Sequence, residues 1–235
     1  MALKESQDKD ITAITVVCNT PDLMKRMYKA FRKFHPNMML YVIDNSDKGN
    51  ECREYLDNIS STKTRVYRFN KNIGHGRGLN FGICMTETPY ALIMDSDTVI
   101  LKDPVKEMMK LMTKGVYGVG WISQIGKDGY DYGTFKHHKV PVKYLHPYFC
   151  LLSVEEYSMF PHFVHHGAPF YKTMVYLHDH NLTHKLIPFP GLTGGPGMTI
   201  NWNERESEYV RHDFGGTRIA LREMGRKEIE EGWAF

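Results

Sequence analysis

Two aspartates, Asp95 and Asp97, have the type and spacing of a divalent cation site. They follow the apolar run Tyr90 to Asp95 and are separated by Ser96. In extended backbone, residues two apart point to the same side, so both carboxylates would face one ligand. Hard oxygen ligands on a short spacer suit Mg²⁺ or Mn²⁺, which take substrate phosphates as further ligands. The alternative is an ordinary turn with aspartate at a strand exit.

Asp44 ends a second apolar run, from Met39, and offers another carboxylate. It could accept hydrogen bonds from a ribose hydroxyl or from the N–H of a nucleobase. It could equally open an Asx turn over Asn45, Ser46 and Asp47. The residue itself leaves both interpretations open.

A glycine-rich segment with Gly74, Gly76 and Gly78 leads into a predicted helix, with Lys71 and Arg77 beside it. The spacing fits neither the GxGxxG dinucleotide fingerprint nor the P-loop. Close backbone approach, a helix N-terminus and two cations nevertheless favour an anionic ligand. A flexible connection between strand and helix is the alternative.

The elements that must position these residues alternate regularly through the first half of the chain. The pattern predicts four short buried strands separated by helices, with strands at Ile11 to Cys18, Met39 to Asp44, Arg65 to Phe69 and Tyr90 to Asp95. Such alternation is typical of an open parallel sheet with right-handed crossovers. Ligands bind at the carboxyl ends of such strands, where Asn19, Asp44, the glycine segment and Asp95 all fall.

The second half is less regular. Its pattern predicts helices at Asp103 to Thr113, Val154 to Phe160 and Pro169 to His180, strands at Val116 to Ile122, Tyr148 to Leu152 and Lys185 to Pro188, and a final charged helix. Since no linker separates the halves, we expect a single domain over residues 1–235. Residues 1–104 would form its first half, and residues 105–235 a second half that builds onto the first and includes the C-terminal helix.

Composition excludes several classes of protein. Thirty Lys and Arg against 27 Asp and Glu argue against a protein that coats polyanions, and 42% hydrophobic residues argue against disorder. Four scattered cysteines without a CxxC pair predict neither a zinc knuckle nor a disulfide framework. No apolar run approaches the roughly 20 residues of a transmembrane helix, and the N-terminus is too polar for a signal peptide, so we expect a cytoplasmic protein.

Taken together, these motifs resemble those of the family 2 glycosyltransferases, nucleotide-sugar-dependent enzymes with the GT-A fold. The resemblance is strong over residues 11–104 and looser beyond. It implies an α/β class with a Rossmann-like, mostly parallel sheet flanked by helices. Residues 1–104 would then form a nucleotide-sugar-binding half, and residues 105–235 an acceptor-binding half with the C-terminal helix. The matching segments are Val16 to Thr20, Val42 to Ser46, Asn72 to Gly74, Asn80 to Ile83 and Met94 to Asp97.

The resemblance also implies a role for individual residues on the donor side. Asn19 and Thr20 would hold the nucleotide base together with Asp44, and Asp95 would meet the ribose. Asp97 would ligate the cation, and a late histidine commonly completes that site, which here makes His212 in the Tyr209 to Thr217 segment the candidate. The base and diphosphate would lie along Lys71, Gly74 and Arg77.

The acceptor side departs from the commonest family pattern. Many members have a Glu-Asp pair at a helix start, but this chain has His165-His166-Gly167-Ala168-Pro169 before a predicted helix. A dipole-positive helix start favours the neutral imidazole that a general base needs. We therefore expect His166 to be the base, with Asp179 and Glu204 as competitors.

The expected function is metal-dependent sugar transfer, with inversion, from a nucleotide-sugar to an acceptor hydroxyl. Family habit suggests a UDP-sugar donor, Mn²⁺ or Mg²⁺, and a glycan or lipid-linked acceptor of surface polysaccharide or lipopolysaccharide synthesis, reached through peripheral membrane contact. One alternative is a phage-type enzyme acting on hydroxymethylated bases in DNA. Another is a protein that binds nucleotide-sugars without catalysis, which the missing Glu-Asp pair would permit.

Overall fold

The computed structural model describes residues 8–69, 71–126, 141–164, 168–192 and 205–212, with the backbone alone at 205 and 206. Within these ranges the strands are β1 (Ile11–Val17), β2 (Met39–Asp44), β3 (Thr64–Arg68), β4 (Tyr90–Met94), β5 (Thr98–Ile100), β6 (Gly118–Ile125), β7 (Val142–Ser153), β8 (Leu186–Pro188), β9 (Arg205–Glu206) and β10 (Val210–His212). The helices are α1 (Pro21–Phe34), α2 (Glu51–Ile59), α3 (His75–Cys84), α4 (Val105–Leu111), α5 (Val154–Ser158) and α6 (Tyr171–Asp179). Two short 3₁₀ turns cover Thr183–Lys185 and Pro190–Leu192.

Seven strands form the main sheet, in the order β3-β2-β1-β4-β7-β6-β8. Strands β3, β2, β1 and β4 are mutually parallel, and β7 runs antiparallel to both of its neighbours. Strand β8 pairs parallel with β6. The expected mostly parallel sheet flanked by helices is thus confirmed. The carboxyl ends of β1, β2 and β4 meet at one edge.

Helices cover both faces of this sheet because its strands are apolar on both sides. On one face, Met27 and Phe31 of α1 and Leu56 of α2 pack with Ala13 of β1. On the other face, Leu79 and Ile83 of α3 pack with Ile14 and with Met174 of α6. Alternate residues of β1 therefore lie in separate cores. All seven residues of this strand are buried, so β1 packs against helices on both faces of the sheet.

A second, smaller sheet has the order β5-β10-β9 and is antiparallel. Strand β5 begins directly after the Asp95 to Asp97 turn, and His212 of β10 is paired with Thr98 of β5. The small sheet therefore brings a residue from late in the chain to the exit of β4.

The prediction for one strand was wrong. We expected Tyr148 to Leu152, whereas β7 spans Val142–Ser153. Tyr144, His146 and Pro147 have the appearance of a loop in sequence, but pairing with β6 and β4 holds them in the sheet. The predicted C-terminal helix lies outside the described residues. Among the helices that the structure describes, none is both long and apolar enough to span a bilayer.

Candidate functional site

Three side chains converge at the carboxyl end of β4. Asp95, Asp97 and His212 each offer one possible metal-ligating atom, and these atoms all lie within 4.8 Å of one another. His212 Nε2 is 3.2 Å from Asp97 Oδ1 and 3.5 Å from Asp95 Oδ2. The sequence had assigned Asp97 and His212 to a cation and Asp95 to a ribose, and the structure brings all three together.

Tyr148 of β7 contacts this group through its backbone carbonyl and its ring. Its carbonyl oxygen accepts hydrogen bonds from Asp95 N and Thr98 Oγ1, both at 3.0 Å. Its ring stacks on the His212 imidazole, with centroids 4.8 Å apart and planes 14° apart. The turn that carries both aspartates is therefore held by backbone and ring contacts from the second half of the chain.

The electrostatics of the group favour ionised carboxylates beside a protonated imidazole. Burial alone would raise the pKa of Asp95, but the charge of His75 and hydrogen bonds from His212 and His75 hold that pKa well below its usual range. Burial alone would lower the pKa of His212, but the charge of Asp97 and hydrogen bonds to Asp95 and Asp97 raise it to about 9. His212 must lose its proton before it can ligate a metal.

The donor set fits a divalent cation. Two carboxylates pointing at one imidazole provide hard oxygen and borderline nitrogen ligands, a combination that suits Mn²⁺ and Mg²⁺ better than a soft metal. A divalent cation in the same place would offset the two negative charges of Asp95 and Asp97.

His75 is a residue of this site that sequence reasoning missed. It is the first residue of α3, and its Nε2 lies 3.2 Å from Asp95 Oδ1. The available signal was an imidazole directly after Gly74 in a segment already assigned to anion binding. Its partner could not be inferred from the sequence, because α3 and the end of β4 meet only in the folded chain.

The proposed base-binding residues form a hydrogen-bonded corner at the end of β1. Asn19 has a left-handed backbone, φ 55°, which asparagine tolerates. Its Nδ2 donates to Asp47 Oδ2 at 2.8 Å, and its Oδ1 accepts from Asp47 N at 2.9 Å. Asn19 N donates to Ser46 Oγ at 2.9 Å. The neighbouring Thr20 Oγ1 is buried, with no hydrogen-bond partner in the described part of the chain.

Asp44 is fully buried with internal partners. Its Oδ1 accepts from Ser46 N at 2.9 Å, which is the Asx turn that the sequence left open, and its Oδ2 lies 3.3 Å from Arg68 Nε. Arg53 Nε is 3.7 Å from the same oxygen. Arg53 also donates to the carbonyls of Ser46 and Phe69, at 2.6 and 2.9 Å through Nη2. The carboxylate thus organises the loop after β2.

The remaining donor-side candidates lie around the start of α3. Gly74 caps this helix with φ 87°, a conformation that favours glycine, and its N–H donates to Asn72 Oδ1 at 2.8 Å. Lys71 and Arg77 are exposed on either side of Gly74. The helix N-terminus opens beside Asp95, since His75 reaches that carboxylate.

An aromatic group borders the metal-ligating residues on the side of β6 and β7. Gly120 pairs with Cys150 but Ile122 pairs with Leu145, so His146 to Phe149 bulge opposite Trp121. The bulge places the His146 ring 4.9 Å from the Trp121 ring and 6.1 Å from the His212 ring, between centroids. His146 was given no role in the sequence analysis.

The two predicted catalytic residues differ in what the structure shows. Asp179 is exposed and is the last residue of α6, about 12 Å along the axis from the first residue of that helix. His166, the preferred base, and Glu204, its other competitor, lie outside the described residues. The geometry therefore supplies no choice among the three.

Comparisons with solved structures show the same fold. A mannosyltransferase from Pyrobaculum calidifontis, in complex with GDP-Man and Mn²⁺, matches with a TM-score of 0.55 at 14% identity, over 77% of this chain and 55% of its own. This chain thus spans about half the length of that enzyme. Glucosyl-3-phosphoglycerate synthase from Mycobacterium tuberculosis, in complex with UDP, matches with a TM-score of 0.55 at 13% identity, over 83% of this chain and 76% of its own. The same synthase with phosphoglyceric acid gives 0.56 at 14% identity, over 79% and 71%.

Sequence comparison identifies the family. No curated protein is significantly similar to the chain. The family model described as glycosyl transferase family 2, however, matches residues 12–179, which is well over half of the chain and includes β1 to β7 with both aspartates. The chain belongs to glycosyl transferase family 2.

Proposed function

We propose that this glycosyltransferase moves a sugar from a nucleoside diphosphate sugar, most simply a UDP-sugar, to an acceptor hydroxyl in a cation-dependent reaction. The convergence of Asp95, Asp97 and His212 within 4.8 Å carries the proposal. It lies at the carboxyl ends of the parallel strands, where ligands bind in open α/β sheets. These three residues would hold Mn²⁺ or Mg²⁺, which supplies Lewis-acid stabilisation of the leaving diphosphate.

The residues around this group suit the rest of the donor. The corner formed by Asn19 and Thr20, with the loop that Asp44 organises, would hold the base. The Thr20 hydroxyl, which has no hydrogen-bond partner among the described residues, would bond to it. The start of α3, with Gly74, Lys71 and Arg77, would receive the diphosphate, because a helix N-terminus and two cations favour an anion. The ribose would lie near Asp95, between these two regions.

In the transfer step, the acceptor oxygen bonds to the anomeric carbon as the bond to the diphosphate oxygen breaks. The proton of the acceptor hydroxyl passes to a base, for which we retain His166, with Asp179 and Glu204 as competitors. Attack from the face opposite the leaving group inverts the anomeric configuration. The acceptor would be a glycan or a lipid-linked sugar, as in synthesis of surface polysaccharide. Hydroxymethylated DNA is the alternative acceptor, and the turnover experiment below compares the two.

A binding titration tests the donor site. The melting temperature is measured with UDP, GDP, CMP and dTDP, each with and without Mn²⁺, for the wild type, Asp97→Ala and Asp10→Ala. Asp10 is an exposed aspartate at the opposite end of β1 and provides a matched control. We expect one nucleotide to raise the melting temperature only with Mn²⁺, in the wild type and in Asp10→Ala but not in Asp97→Ala. No shift with any nucleotide would overturn the donor assignment.

Donor turnover then tests catalysis. With the matching nucleotide-sugar and a panel of glycans, lipid-linked sugars and hydroxymethylated DNA, we expect release of the nucleotide and a glycosylated product with one acceptor class. Product on DNA alone would overturn the glycan assignment. A protein that binds the donor and never releases nucleotide with any acceptor would instead be a nucleotide-sugar-binding protein.

A further inference from the structure

His75 contacts the metal-ligating group without belonging to it. Its Nε2 approaches Asp95 Oδ1 at 3.2 Å, whereas His212 Nε2 approaches the other oxygen, Oδ2, at 3.5 Å. The two oxygens of Asp95 therefore face different histidines. His75 Nε2 is therefore the histidine nitrogen that lies within ion-pair distance of Oδ1.

The backbone of His75 is fixed relative to the sheet. It follows Gly74, whose φ of 87° turns the chain into α3. Helix α3 lies so close to β1 that a Cβ on Gly78 would come 2.9 Å from Val16 Cγ2, and one on Gly82 would come 2.5 Å from Ile14 Cγ2. The helix start cannot move without disturbing this packing, so His75 approaches Asp95 from a rigid support.

We propose that His75 is a positioning residue that holds Asp95 Oδ1 and so presents Oδ2 to the divalent cation. This inference rests on the metal site proposed above. When His212 turns from partner of the carboxylates to ligand of a cation, it no longer holds Asp95. His75 remains on the opposite oxygen and keeps the carboxylate in one orientation. Loss of such an outer partner typically weakens metal binding by about 10- to 100-fold.

The test is the dissociation constant for Mn²⁺ alone, measured from the electron paramagnetic resonance signal of free Mn²⁺ without any donor. The variants are His75→Leu, which has no donor, and His75→Gln, which places an amide N–H near the position of Nε2. His184→Leu makes the same change at an exposed histidine of the Thr183–Lys185 turn and is the control. His75→Phe, a ring without a donor, replaces the leucine variant if that variant does not fold.

We expect His75→Leu or His75→Phe to weaken Mn²⁺ binding by roughly tenfold or more, His75→Gln to stay within about threefold of the wild type, and His184→Leu to equal it. Mn²⁺ binding by the donorless variants equal to that of the control would overturn the inference, as would equal impairment by glutamine and leucine. Failure of the wild type to bind Mn²⁺, or unchanged binding by Asp97→Ala, would instead overturn the metal site itself, and this inference with it.

Discussion

At the scale of single residues, Asp44 and Asp57 show how burial changes the contribution of a charged side chain to stability. Both carboxylates contact Arg68, Asp44 at 3.3 Å and Asp57 at 2.7 Å. Asp44 is fully buried at the end of β2, whereas Asp57 is largely exposed on α2. Water can replace the partner of Asp57, but no water reaches Asp44.

We therefore predict that Asp44→Asn lowers the free energy of unfolding by about 1–3 kcal/mol, because an amide cannot offset the charges of Arg53 and Arg68. Asp57→Asn, the matched change on the same arginine, should cost less than about 1 kcal/mol. Urea unfolding of the two variants measures the difference. Equal losses would show that the buried carboxylate has no special part in holding the loop after β2.

His35 is a second buried charge, remote in sequence from the metal-ligating residues. Its Nδ1 lies 3.2 Å from Asp8 Oδ1 and its Nε2 lies 3.3 Å from Asp103 Oδ1. Burial alone would lower the pKa of His35, but hydrogen bonds to Asp103 and Asp8, with the charges of both, raise it above 6.5. The imidazolium thus ties the end of α1 to the segments before β1 and after β5.

Because the pKa of His35 is higher in the folded protein than in the unfolded chain, its protonated side chain stabilises the fold. This contribution is fully present below pH 6.5 and is lost as the pH rises through the pKa of the folded state. We predict that the free energy of unfolding of His35→Gln falls furthest below that of the wild type near pH 6. This difference in free energy should become smaller as the pH increases towards 9. Free energies of unfolding of both proteins, measured from pH 6 to pH 9, provide the test. A gap that does not vary with pH would mean that His35 stabilises the fold by packing alone.

At the scale of elements, α3 depends on glycine for its closeness to β1. A Cβ at Gly82 would come 2.5 Å from Ile14 Cγ2, a methyl group on a branched carbon that cannot swing aside. Alanine improves helix propensity by about 1 kcal/mol, but overpacking costs about 1–3 kcal/mol. The clash at Gly82 belongs at the upper end of that range.

We accordingly predict that Gly82→Ala destabilises the protein by about 1–2 kcal/mol, and that Ile14→Ala in the same chain partly relieves the loss. A double-mutant cycle in urea measures the coupling between the two positions. If Gly82→Ala instead stabilises the protein, helix propensity outweighs the close approach, and the rigid placement of His75 loses its support.

How far the sequence predicts these elements depends on where their signal lies. The bounds of β2 are as expected, because an apolar run and its flanking polar residues are local features. The expected strand at Tyr148 to Leu152 was too short, because Pro147 suggests a loop and only the pairing with β6 and β4 shows otherwise. The approach of His212 to Asp97 followed from family resemblance, while the contact of His75 with Asp95 is a product of tertiary packing alone.

At the scale of the whole molecule, the small sheet joins a late segment of the chain, β10, to the strand that follows the metal-ligating turn. Backbone hydrogen bonds from Leu101 N and Lys102 N to Tyr209 O, at 2.7 and 3.1 Å, join the chain after β5 to the residue before β10. A cation shared by Asp97 and His212 would add a cross-link between β10 and the exit of β4. Opening of the small sheet should then become rarer.

We predict that Mn²⁺ slows amide hydrogen exchange in β5 and β10, that chelation by EDTA reverses the effect, and that exchange in β3, at the far edge of the main sheet, does not change. Hydrogen exchange followed by mass spectrometry, with and without Mn²⁺, provides the measurement. Protection spread evenly over β3 and β10 would indicate general stabilisation and would contradict a cross-link at His212.

The contacts of the Tyr148 carbonyl limit how this chain can be joined to parts of other family members in a chimera. It holds Asp95 N and Thr98 Oγ1 from a strand 50 residues further along the chain than Thr98. A chimera that keeps residues 1–104 and takes the remainder from another family member would retain both aspartates and lose their support unless the incoming strand carries the same bulge. Cation affinity is thus expected to depend on the second half of the chain, and shuffling libraries should cross over within exposed loops of that half rather than at its boundary.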